Sequence, residues 1–482
     1  MTSPARPSGQ RDLTTGPIGA TLLAFALPTL ASNILQSLNG SINAVWVGHF
    51  LGEDALAATS NANIIMFLMF GAIFGFGMAA TILVGQAWGA RDHDAARRAF
   101  GTATALVVAG SIVIGALGWL FTPAILHALA TPGDAMTLAQ TYLRVIFLGL
   151  PASMLLVLLM MGLRGTGDSL TPLWCMALAV VLDSGLNPVF ILGLGPAPRL
   201  GIAGSALATL IANVVAVAAL VGWIYARDLP LRLRGAEWRF LRPDPALART
   251  IVAKGLPIGA QMLVISTAAL AMMKLVNDEG VGVAAAYGIT QQLWAYIQMP
   301  AMAIGAAVSA MAAQNIGAGR WDRVGQITRS GLLYNGLLTG ALVVVATFAD
   351  RALLGLFLSE GSAVLPIAQH ISYISTWSFI LFGGTMVLFG VVRANGAVWG
   401  PLAVLAFAMF PVRLGLALAL RPWLGVDAIW WSFPAGSLAT VGLAALYYRY
   451  GDWRGGRLMA EPHCDQQAHA TVEPAGTLKP AG

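Results

Sequence analysis

Charge is the scarcest feature of this sequence. Only 10% of its 482 residues are Asp, Glu, Lys or Arg, against 57% that are hydrophobic. Soluble domains carry about 25% charged residues, so a water-soluble core is excluded. Cysteine is rarer still. Cys175 and Cys464 are the only two, which implies neither a disulfide framework nor a metal site. No G-x-x-x-x-G-K-[ST] run occurs, so ATP-driven transport has no support. No nucleophile–base pattern suggests an enzyme. The first sixteen residues (MTSPARPSGQRDLTTG) lack the apolar core of a signal peptide and are read as a polar tail.

Long apolar runs fill the space that charge leaves. Eleven stretches contain no charged residue, from 13–52 near one end to 428–448 near the other. A twelfth, 172–194, is interrupted only by Asp183. Each is long enough for a helix of about 20 residues to cross roughly 30 Å of hydrocarbon. The alternation of a membrane barrel is absent, and helices are the other way to satisfy a backbone in lipid. The expectation is an all-α membrane protein with 12 transmembrane helices. With both termini inside, 21 of the 27 basic residues fall in inner segments, Arg164 and Arg393 among them. The positive-inside rule then places both termini in the cytoplasm of a multi-pass inner or plasma membrane protein. The net charge of +6 reads as topology, and no nucleic-acid partner is expected.

The chain repeats itself at half length. ALPTLA at 26 matches GLPIGA at 255, aligning Pro28 with Pro257. GQAWGA at 85 matches AQNIGA at 313, aligning Gln86 with Gln314 and Gly89 with Gly317. LRGTGDSLTP at 163 matches VRANGAVWGP at 392, aligning Arg164 with Arg393 and Gly167 with Gly396. Six spans per half insert in the same direction, which makes a parallel repeat of the kind that builds secondary transporters. The expected organisation is a tail (1–16), a first lobe (17–226), a basic cytoplasmic linker (227–250), a second lobe (251–450) and a disordered polar tail (451–482). Two six-helix bundles leave a cleft between them, where such transporters bind their cargo.

One carboxylate stands out. Asp183 lies 11 residues beyond Pro172, about 16 Å along the span and near the membrane midplane. A charge there costs about 2.5–3.5 kcal/mol, so it should face the protein interior, and it is a functional candidate by default. Asn187 lies one turn on, and Pro188 deprives the Ser184 carbonyl of its helical partner. Together these form a candidate ion-coupling group, Asp183 and Asn187. Packing against polar helices is the competing explanation. The first span offers Gln36, Asn39 and Asn43 on one face, and Asn61 follows in the second. They are candidate cleft-lining residues, with interhelical hydrogen bonding as the plainer alternative. Gln261 and Gln292 of the second lobe, and Arg413 deep in the eleventh span, complete the cleft-lining set. For Arg413 the competing role is to lock helices together.

Five segments, LNGSINAVWVGHFLG at 38, GQAWGARD at 85, LRGTGDSLTP at 163, AAYGITQQL at 284 and AQNIGAGRWDR at 313, resemble the multidrug and toxic compound extrusion (MATE) family. The resemblance covers about residues 17–450 and is closer to the proton-coupled bacterial branch than to the sodium-coupled one. It implies two six-helix bundles in a V and export of organic, often cationic, compounds in exchange for H⁺ or Na⁺. It also implies an acidic residue five positions before Gly48, where this chain has Asn43. A Glu typical of the sodium-coupled branch is replaced by Ile265, and the tenth span lacks that branch's acidic residue. H⁺ is therefore favoured over Na⁺ as coupling ion, and no other cofactor is expected. The expected partners are small organic cations and membrane lipid, with the chain a monomer. Two rivals are a lipid-linked precursor flippase and a non-exchanging channel or receptor. The flippase needs cations in the cleft, where the sequence offers mainly Arg413 and Lys274.

Overall fold

The computed structural model describes residues 11–128, 133–195, 198–355 and 364–455, with some side chains of the second helix left out. Twelve helical spans follow one another: α1 (Ile18–Leu51), α2 (Glu53–Gly89), α3 (His93–Ala128), α4 (Gly133–Gly165), α5 (Leu170–Leu192) and α6 (Ile202–Ala226). Then come α7 (Pro245–Asn277), α8 (Val281–Gly317), α9 (Trp321–Phe348), α10 (Val364–Ser375 and Ser378–Ala394), α11 (Trp399–Ala419) and α12 (Asp427–Tyr450). Among the described residues there is no strand. Ten of these helices are long and apolar enough to cross a membrane, and α10 is an eleventh, bent by 46° where its two parts meet. The other is α2, whose residues 55–89 carry no charge. The chain is a multi-pass membrane protein.

Local chemistry sets several boundaries. Asp168 accepts the N–H groups of Leu170 and Thr171 at 3.0 Å each and so caps α5. Asp244 does the same for α7, which begins at Pro245, inside the stretch expected to be linker. The rest of that stretch folds back on the first lobe. Leu229 and Leu231 are buried in its core, and Arg97 Nη1 meets Glu237 Oε1 at 2.9 Å. Gly167 (φ +94°) and Gly396 (φ +80°) make the turn after α4 and after α10. The left-handed backbone there explains why both halves keep glycine at that step. In α11, Pro411 lacks an N–H, and the helix widens into a π turn over Ala408–Leu414.

The two lobes exchange their leading half-helices. Leu22, Phe25 and Ala26 of α1 are buried in the second lobe's core with Ile304 and Val387. Past Pro28, α1 packs along α5 of the first lobe. In the same way Ile251 of α7 is buried in the first lobe's core. Past Pro257, α7 packs Val264 and Ile265 with Leu388 and Leu405 of α10 and α11. The two aligned prolines mark where each helix passes from one lobe to the other.

At the basic end a symmetric clasp shuts the cleft. Gln86 Nε2 donates to the Ala394 carbonyl at 2.6 Å, and Gln314 Nε2 donates to the Gly165 carbonyl at 2.8 Å. A Cβ on Gly89 would lie 1.9 Å from the Gln314 carbonyl oxygen, and one on Gly317 would lie 1.9 Å from that of Gln86. Only glycine permits this approach. The hydrogen bonds that join the lobes here close the V at its basic side. Gly89→Val should force that side apart. Spin labels at Asp92→Cys and Arg320→Cys would report longer distances in the valine variant than in its parent. Unchanged distances would show that the close approach does not hold the lobes shut.

Candidate functional site

The polar centre of the first lobe is assembled from three helices. On α1, Asn39 and Asn43 are four residues apart. On the facing α5, Asp183 and Asn187 have the same spacing, so each pair shares one helix face and the two meet at one level. Asn39 Nδ2 and Asn43 Nδ2 donate to Asp183 Oδ2 at 2.8 and 2.9 Å. Asn187 Nδ2 and Thr209 Oγ1, the latter from α6, reach Asp183 Oδ1 at 3.1 and 3.0 Å. Asn187 Nδ2 also lies 2.8 Å from Asn43 Oδ1 and 2.9 Å from the Asp183 carbonyl. An amide has two N–H groups for these three acceptors, so the network retains some freedom. Asp183 is 2% exposed and Asn187 fully buried.

The cluster has two further properties. Among the described residues no basic side chain forms an ion pair with Asp183. Two buried oxygens of its partners, Asn39 Oδ1 and Asn187 Oδ1, have no hydrogen-bond partner, and neither has the Oγ of the next residue, Ser184. The carboxylate thus has four donors around it and spare acceptors within the same shell. Thr209 was not singled out in the sequence, although Ser205, Thr209 and Asn213 form a polar stripe at four-residue spacing along α6.

The remaining expected cleft residues do not join this cluster. Gln36 is exposed one turn before Asn39, and Asn61 lies on α2 with its side chain among those not described. Gln261 is buried, with Nε2 3.4 Å from the Val398 carbonyl, where it ties α7 to the start of α11. Gln292 is exposed on α8. Arg413 lies with its guanidinium carbon 3.5 Å from the centroid of the Phe433 ring and Nη1 3.7 Å from Met409 Sδ. Its side chain also packs on Gly436, which ties α11 to α12.

The cations of the cleft are different ones. Arg164 and Arg393, expected in cytoplasmic segments, end α4 and α10 and line one cavity of about 160 Å³ between the lobes. Helix length explains the difference: α4 runs to Gly165 and α10 to Ala394, so each arginine still projects from its helix. A larger cavity, about 480 Å³, lies between α5 and α6 at Trp174, Trp223 and Arg227. Trp174 is 72% exposed, which places that cavity on the outer, lipid-facing surface.

The MatE family model matches residues 28–189 and again 257–418, two segments offset by the 229 positions of the internal repeat. The chain belongs to the MATE family. The probable multidrug resistance protein YoeA of Bacillus subtilis is 34% identical over 428 residues, covering 88% of this chain and 92% of that protein. YpnP of the same organism is 33% identical over 93% of this chain and 99% of its own length. A Shewanella oneidensis relative named as an FAD transporter is 28% identical over 72% of this chain and 76% of its own. Among solved structures, a Vibrio cholerae MATE transporter matches with a TM-score of 0.84 at 21% identity, over 92% of this chain and 98% of that one. A Pyrococcus furiosus transporter of the same superfamily matches equally well at 19% identity, with the same coverage. This MATE chain is therefore a membrane transporter and not an enzyme, built as two six-helix bundles.

The Thr209–Asp183 bond can be tested on its own. A hydrogen bond to a charged group contributes about 1.5–3 kcal/mol. Thr209→Val should lower thermal stability in detergent while Asp183 is present, and much less once Asp183→Asn is in place. Additive losses in that double-mutant cycle would mean the contact contributes nothing.

Proposed function

We propose that this chain is a secondary active antiporter that exports organic compounds in exchange for H⁺. It would do so by alternating access of its two lobes, in a cell membrane with both termini in the cytoplasm. The observation that carries this reading is Asp183, a buried carboxylate with four hydrogen-bond donors and no basic partner. Such a group can hold either protonation state. Ionised, it accepts all four bonds. Protonated, it needs an acceptor for its own proton, and the unpartnered Asn39 Oδ1 is one amide rotation away. The surrounding amides exchange donor for acceptor without carrying a proton themselves.

The same geometry favours H⁺ over Na⁺. A sodium ion needs several oxygens turned inward at once, whereas here N–H and O–H groups occupy the carboxylate. An organic cation can compete with the proton for Asp183, and exchange follows when the two cannot be held together. The relatives' names support small organic cargo, drugs and a flavin nucleotide among them. The V closed at the basic end supports alternating access, because one rocking motion would release the clasp there and close the opposite side.

The test uses inside-out vesicles with an acid interior. Cationic dyes are added to wild type and Asp183→Asn, with and without Na⁺, and dissipation of the pH gradient is recorded. Wild type should release protons on dye addition and the variant should not, with Na⁺ making no difference. Equal proton release by Asp183→Asn would remove the carboxylate from the mechanism, and release driven by Na⁺ alone would replace the coupling ion.

A further inference from the structure

The base of the cleft is opposite in sign to the Asp183 cluster. The cavity there is lined by both lobes. Arg164 comes from the first lobe and Arg393 from the second, and none of its lining residues is acidic. Among the described residues neither arginine forms an ion pair. Arg164 Nε is buried with no hydrogen-bond partner. Arg393 is 9% exposed, and its Nε donates only to the Phe389 carbonyl of its own helix, at 3.1 Å. Two partly buried cations facing one space without an anion repel each other, and burying an unpaired charge is costly. An arginine guanidinium also presents planar paired donors suited to a carboxylate or a phosphate.

We propose that this cavity is a binding site for an oxyanionic group, carboxylate or phosphate, held between Arg164 and Arg393. The volume of about 160 Å³ is below the roughly 300–1,000 Å³ of a site for a whole drug-sized ligand. The cavity therefore takes the charged group while the rest of the molecule extends up the cleft. Met78, Met161, Met262, Met302 and Met386 line the same space. Their flexible thioethers fit apolar bodies of varied shape. The ligand class is an amphiphile with an anionic head.

The residues next to each arginine explain what binding would do. Gly165 and Ala394, which follow the two arginines, are the carbonyl acceptors of the clasp from Gln314 and Gln86. An anion shared by both guanidiniums bridges the lobes directly beside that clasp and holds the basic end shut. Opening that end separates the arginines and frees the ligand.

The experiment measures equilibrium binding without any ion gradient, so its failure is separate from failure of proton exchange. Four radiolabelled probes share one dansyl-undecyl body and end in a carboxylate, a phosphate, a neutral methyl ester or a trimethylammonium group. Binding is read with protein in nanodiscs of neutral lipid, with empty nanodiscs subtracted. Wild type should bind the two anionic probes at least about tenfold more tightly than the ester. Arg164→Gln and Arg393→Gln should each reduce that preference, and the double variant should abolish it. Arg→Lys at both positions should restore part of it. If the glutamine variants fail to fold, the ranking of the four probes on wild type decides alone. Equal binding of acid and ester, or an undiminished preference in a folded double variant, overturns the proposal. Repeating the measurement with phosphatidylglycerol in the nanodiscs separates two sources of the anion. Competition assigns the site to a lipid headgroup, and no competition assigns it to a soluble amphiphile.

Discussion

A carboxylate inside a membrane span must be hydrogen-bonded from within the protein, and much of the first lobe is arranged to do that. Asp183 is 2% exposed, and a charge without partners at that depth would cost about 2.5–3.5 kcal/mol. The solution is to bring donors from two other helices. Asn39 and Asn43 fix the face that α1 turns to α5, and Thr209 fixes that of α6. The packing of α1 against α5, and of α5 against α6, follows from these bonds as much as from apolar fit. Lipid supplies no hydrophobic drive between helices.

The same α1 is held at its other end by the opposite lobe. Leu22, Phe25 and Ala26 belong to the second lobe's core, so a helix that touches Asp183 in one half is anchored across the cleft in the other. Pro28 separates the halves, and the Ser32 hydroxyl donates to the Pro28 carbonyl at 2.9 Å. A proline here removes one rung of the helix ladder and leaves a place to bend. Any change in hydrogen bonding at Asn39 and Asn43 is therefore mechanically connected, through one helix, to the relative position of the lobes. That connection is a property of packing, and it holds whatever ion occupies the cluster.

Most of this architecture was legible in the sequence because the bilayer imposes length and apolarity on every span. The twelve stretches without charge, the duplication and the isolated Asp183 all come from such one-dimensional signals. Asn39, Asn43 and Asn187 were legible too, since a polar residue every fourth position on an apolar helix marks a buried face. Thr209 carries the same signal, but its hydroxyl is weaker than an amide against a background of Ala and Ser. What sequence spacing does not give is depth at a helix end. Arg164 and Arg393 sit within a residue or two of a loop and were counted as cytoplasmic. Whether such an arginine faces water or the other lobe depends on which helices meet there. Arg413 is the reverse case: its depth was evident, but its neighbour, the Phe433 ring, lies on a different helix.

The repeat also separates the two sites by which halves supply their residues. At the offset of 229, Asp183 and Asn187 correspond to Val412 and Leu416, and Asn39, Asn43 and Thr209 to Ala268, Met272 and Leu438. The negative cluster therefore stands in one lobe only, and its bonds join α1, α5 and α6. Under the proposed alternating access, the cluster would carry its occupant with the first lobe, and the half of α1 before Pro28 would link it to the second. The arginines stand in both halves, and the cavity between them lies where the lobes meet. Under the proposed motion, a ligand bound there would be released as Arg164 separates from Arg393. The proposed exchange would use both behaviours: one site that carries its occupant across and one whose occupancy depends on which end is closed.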